Sequence, residues 1–204
     1  MKNADNIIHI RYLGQILSKD DLKEIENNLE KINYELKGFD YSGVPQNSLD
    51  SIISQVVLIL NEPTAQTIVL GLTTNLIWDV IKKVVKYTFL KIKDKSFITI
   101  DSGRNVKERK ASFSIVFQID NNNTFEFKTD NLNEENIEHC LDKILEFLKT
   151  TQKSEKPKAP QISVYNSTSE KWEIIEITPE YLQQLPSKII KELTLDEFIK
   201  IHGR

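Results

Sequence analysis

A single cysteine, Cys140, in 204 residues rules out an internal disulfide framework and a multi-cysteine zinc site. Histidine is nearly as scarce. His9, His139 and His202 stand far apart and match no ligand spacing, so neither a metal ion nor any other cofactor is expected. The six glycines, at 14, 38, 43, 71, 103 and 203, are too scattered for a G-x-x-x-x-G-K-[ST] or G-x-G-x-x-G phosphate loop. A G-x-S-x-G elbow is missing too, because Tyr41-Ser42-Gly43 lacks the first glycine. There is no basic excess: the net charge is -3, which speaks against a dedicated nucleic-acid binder. Nor is there a long apolar run. The longest, Val56–Leu60, is far below the roughly 20 residues that a bilayer span requires.

Apolar residues make up 39% and charged residues 28%, a mixture that suits a folded chain with its own core. The opening MKNADNIIHIRYLG has neither a long apolar core nor a small-residue cleavage site, so no signal peptide is expected. A reducing cytoplasm is then the expected compartment, and the Asn-x-Thr triplets at Asn122 and Asn166 carry no sugar. The abundance of Lys, Asn and Ile suggests an AT-rich, bacterial type of genome.

Apolar spacing gives the elements. Residues 6–13 alternate as a strand, with Ile8, Ile10 and Tyr12 on one face and Ile7, His9 and Arg11 on the other. A helix over 19–37 follows, with Ser18 as N-cap, Asp20 and Asp21 in its first turn, and Gly38 past its end. Its Leu22, Ile25, Leu29, Ile32 and Leu36 repeat at intervals of 3, 4, 3 and 4, a two-per-heptad seam narrower than an ordinary core stripe. Such a seam pairs with another helix, from a partner or from the same chain, or packs on a sheet.

Two apolar blocks, 52–60 and 68–92, are separated by Pro63, with Thr64 able to cap the second as a helix. The first block reads equally as a helix or as a buried strand. Residues 97–100 form a short strand. Residues 111–120 and 124–129 form a hairpin turning at Asn121–Asn123, with Phe113, Ile115, Phe117, Phe125 and Phe127 inward and Ser112, Ser114 and Gln118 in water. A helix over 133–149 carries Ile137, Leu141, Ile144, Leu145 and Leu148 on one face. The expected class is α+β: an antiparallel hairpin sheet at about 97–129 packed by helices, with an N-terminal strand and helix. Residues 1–150 make the main domain, the proline- and charge-bearing 151–161 a linker, and 162–204 a small hairpin with short helices starting at Pro179 and at a Thr194–Glu197 capping box.

Chemistry is thinly signalled. His139 and Cys140 are adjacent, but neighbours on a helix point about 100° apart, so Cys140 reads as a small core residue rather than a nucleophile. No acid/base pair of carboxylates stands out. Between Asp79 and Lys110, ten basic residues face four acidic ones, so the rest of the chain is strongly acidic. The 101–110 loop within that stretch offers Arg104, Lys107, Arg109 and Lys110 for an anion, although no aromatic residue is interleaved for base stacking.

Three functions follow. The first is a non-enzymatic interaction or assembly subunit that docks on another protein, or on itself, through Leu22, Ile25, Leu29, Ile32 and Leu36. The second is a membrane-acting, toxin-like effector of a bacterial conflict or phage-defence system. It would use 52–92, where Trp78, Tyr87 and a row of lysines would suit an anionic membrane surface. The third is an enzyme or binder of phosphate or nucleic acid acting through Arg104, Lys107, Arg109 and Lys110.

Overall fold

The computed structural model describes residues 6–14, 16–42, 54–71, 76–100, 105–151, 161–175 and 191–194. Strand β1 (Ile7–Tyr12) leads into helix α1 (Lys19–Glu30), which returns the chain to strand β2 (Glu35–Asp40), parallel to β1. Strand β3 (Val56–Leu60) lies antiparallel on the other side of β1. Helices α2 (Glu62–Leu70) and α3 (Leu76–Ile92) and the strands β4 (Ser96–Ile100) and β5 (Asn105–Lys110) come next. Strand β6 (Phe113–Gln118) returns parallel to β3 and turns back as β7 (Thr124–Lys128). Helix α4 (Ile137–Thr150) carries the chain to β8 (Gln161–Asn166), parallel to β7, and β9 (Lys171–Ile174) closes a hairpin on β8. Strand β10 (Lys191–Thr194) joins β5.

The result is a mixed seven-stranded sheet in the order β2-β1-β3-β6-β7-β8-β9 and a separate three-stranded sheet in the order β10-β5-β4. This corrects the antiparallel sheet expected at 97–129. The residues of that span divide between two sheets, and three of the six pairings in the main sheet are parallel. Parallel neighbours are joined across long stretches of sequence, which a local hairpin pattern does not reveal. The hairpin expected at 162–177 is present, but it extends the main sheet through β7. Most of the expected linker, 152–160, lies outside the described residues, as do the helices expected at 179 and beyond Thr194.

One face of the sheet carries Ile8 and Ile10, Val56, Leu58 and Leu60, Phe113, Ile115 and Phe117, Phe125 and Phe127, then Tyr165 and Trp172. Helices cover this face. Trp78 of α3 tilts against Phe117 with ring centroids 5.9 Å apart, and Phe147 of α4 meets Phe127 edge-on at 5.5 Å. Trp172 meets Phe127 edge-on at 5.0 Å, and its indole N–H donates to the Cys140 carbonyl at 2.8 Å, tying β9 to α4. On the opposite face His9 and Gln118 are exposed, but Ser114 and Lys128 are buried, so that face is wet only in part.

Local rules explain the boundaries. Ser18 caps α1 through a capping box: its hydroxyl accepts from the Asp21 N–H, and the Asp21 carboxylate accepts from the Ser18 N–H. The helix ends at Glu30 rather than at residue 37, because Asn33 takes a left-handed φ of 59° and the chain turns to β2. Gly38 therefore sits inside a strand, not past a helix end. The helix after Pro63 begins earlier than expected. Asn61 caps it, Pro63 lies in the first turn where no N–H is needed, and Gly71 ends it with a φ of 62°. Block 52–60 resolves at its described end as β3, paired on both sides.

Candidate docking site

The seam of five apolar residues does not survive as a helix face. Leu22, Ile25 and Leu29 lie on α1, Ile32 lies in the turn after it, and Leu36 lies on β2. Ile25 and Leu29 are fully buried in the chain's own core, where α1 packs against α3. The 3-4 spacing arises because a helix and the strand it leads into both place apolar residues toward the same core. It is not a free helix-docking surface at Ile25 and Leu29.

Leu22 and Leu36 do meet in another arrangement. They are partly buried, and with Lys19, Lys23, Glu26 and Gly38 they line an open groove of about 370 Å³ between α1 and β2. Strand β2 is the last strand at that end of the main sheet; among the described residues its outer side pairs with nothing. Gly38 sits on the groove in a strand whose backbone has no need of glycine. A Cβ built there meets the Tyr12 ring at 3.4 Å and Ile10 at 3.9 Å, ordinary contact distances, and φ is not positive. What glycine contributes at this position is space. A glycine within a strand marks a place where another backbone can approach closely. Phe39 beside it is 60% exposed.

Electrostatics divide the lysines into two groups. On α3, Lys82 pairs with Asp142 at 2.8 Å, Lys86 with Glu138 at 2.5 Å, Lys91 with Asp21 at 3.3 Å, and Lys93 with Glu134. The row that the sequence offered to a membrane surface is thus largely neutralised by the flanking helix and connecting segments. The 52–92 segment supplies β3, a strand paired on both sides, and two helices with buried faces. No helix among the described residues is long and apolar enough to cross a membrane. Lys19 and Lys23, like Lys83 on α3, are exposed and have no ion pair among the described residues.

Asp21 anchors the helix that forms the groove wall. Its carboxylate accepts from the Ser18 N–H at 3.0 Å, the Ser18 hydroxyl at 2.8 Å and the Tyr87 hydroxyl at 3.1 Å, and pairs with Lys91. Burial pushes its pKa up, but the bonds from Ser18, Tyr87 and Lys91 outweigh that and hold it down at about 2.

The anion-binding residues expected on a loop are placed differently. Lys107, Arg109 and Lys110 belong to β5, the middle strand of the small sheet, not to a loop. Arg104 lies outside the described residues. Cys140 is fully buried, and burial raises its thiol to a pKa of about 11, which disfavours the thiolate. His139 is half-exposed, 4.0 Å from Glu170. Among the described residues no group of three His, Cys, Asp or Glu side chains is set to hold a metal ion.

The sequence offered Leu22 and Leu36 as docking residues and Gly38 only as a helix end, but not Lys19, Lys23 or Glu26. Two signals pointed to them: a lysine in the first helical turn, against the helix dipole, and a glycine among strand residues. No family model, curated protein or solved structure matches this chain.

Proposed function

We propose that this protein is an interaction or assembly subunit that takes up an extended strand of another protein along the open side of β2, beneath α1. The supporting observation is Gly38, whose missing side chain opens the floor of the groove although the backbone does not require glycine. Strand addition supplies main-chain hydrogen bonds for affinity and side-chain pockets for selectivity. A second copy of the chain is the poorer occupant. Pairing two β2 strands antiparallel over their full length sets Glu35 opposite Asp40 and repeats the clash at the other end.

A photo-crosslinking side chain at Phe39 in the full chain, expressed in its host, tests the reading, with Ile174 on the opposite edge strand β9 as control. One discrete adduct is expected at Phe39 and not at Ile174, and Gly38→Leu should abolish it. Adducts of equal yield at both positions, or one indifferent to Gly38→Leu, would overturn the proposal.

A further inference from the structure

We infer that the strand received at this groove carries two acidic side chains two residues apart, followed two residues later by an apolar one, all on the side facing α1. The inference rests on the strand-docking reading and specifies its partner. Lys19 and Lys23 stand one turn apart on the groove wall and, among the described residues, neither forms an ion pair, although Glu26 lines the same groove. Lys19 occupies the first helical position after the Ser18 cap, where the helix dipole disfavours a cation. Helix stability does not account for it, and an incoming anion does.

The spacing follows from geometry. Four helical residues advance about 6 Å, and two strand residues advance about 6.7 Å. Carboxylates at alternate positions of an added strand therefore keep step with Lys19 and Lys23. Glu26, three residues further along α1, marks where acidity must stop, and Leu36 on β2 offers the apolar contact at that end. Asp40, the carboxylate at the far end of β2, is already occupied by the N–H groups of Gly14 at 3.0 Å and Ser42 at 2.9 Å.

Selection of a random twelve-residue peptide display library on the full chain tests this, with enriched sequences remeasured as fluorescein-labelled synthetic peptides. The acidic-x-acidic-x-apolar pattern, in either chain direction, is expected to dominate. Binding should weaken at least about tenfold in the Lys19→Glu/Lys23→Glu double variant, whose folding circular dichroism checks, and fade with added salt. If peptides bind and are lost in Gly38→Leu, but lack the acidic pair and ignore the lysine changes, the partner chemistry inferred here is wrong and the docking reading stands. If no peptide is enriched, or none is sensitive to Gly38→Leu, both fall.

Discussion

The hydroxyl of Tyr87 on α3 donates to the carboxylate of Asp21 on α1 at 3.1 Å, the same carboxylate that caps its own helix through Ser18. One acidic group thus sets both the start of α1 and its seat on α3. Its pKa is lowered from 3.8 to about 2, so the folded state favours the ionised form. The linked stability is fully present above pH 3.8 and is lost as the pH falls through about 2. Asp21→Asn should cost about 1 kcal/mol at neutral pH once solvent screening is allowed for. Urea denaturation of both proteins between pH 7 and about 2 checks this: the difference between them should shrink toward zero at the acidic end. A constant difference would show that Asp21 acts through shape rather than charge.

Two leucines on α1 should respond very differently to truncation. Leu29 is fully buried in the core, whereas Leu22 is partly exposed on the groove. Leu29→Ala should destabilise by about 3 kcal/mol, and Leu22→Ala by about 1 kcal/mol or less. Thermal melts of the two variants decide it. Equal losses would mean that α1 is rotated from the position described.

Ser163 on β8 faces the helices, beside Phe127 on the neighbouring strand. It is fully buried, and its hydroxyl has no hydrogen-bond partner among the described residues. A buried hydroxyl without a partner is a net cost. Ser163→Ala is expected to raise stability by about 1 kcal/mol, read as an increase in Tm. A decrease would reveal a partner or water at that hydroxyl.

The ion pairs between α3 and α4 are exposed, so their contribution should be small and dependent on salt. Reversing both carboxylates, Glu138→Lys with Asp142→Lys, places like charges beside Lys86 and Lys82. The cost should be about 1 kcal/mol at low ionic strength and should largely disappear in 1 M NaCl. Denaturant titrations at the two salt concentrations measure it.

Elements governed by local rules were legible in the sequence. The Ser18 cap, the alternation of Phe113, Ile115 and Phe117, and the Asn-rich turn after them all appear as expected. Features set by distant residues were not. Nothing near Val56 announces that Phe113 will pair with it, so the parallel pairings stayed hidden. The regular spacing of Leu22, Ile25, Leu29, Ile32 and Leu36 was legible as a pattern, but its continuation from α1 through a turn into β2 imitated one long helix. The groove escaped because it is a property of two elements side by side. Only the glycine and the first-turn lysine left a trace of it in the sequence.

The parallel pairing of β3 with β6 also bears on synthesis. Val56 emerges more than fifty residues before Phe113, its neighbour in the sheet. At a translation rate of about 5–20 residues per second, the flank of β3 waits roughly 3–11 seconds for its partner. β1, α1 and β2 are made before β3 and are able to pair with it first, leaving one side of a nearly continuous apolar strand, Val-Val-Leu-Ile-Leu, open on the nascent chain. That interval is when the chain is most exposed to intermolecular strand pairing and most in need of a chaperone.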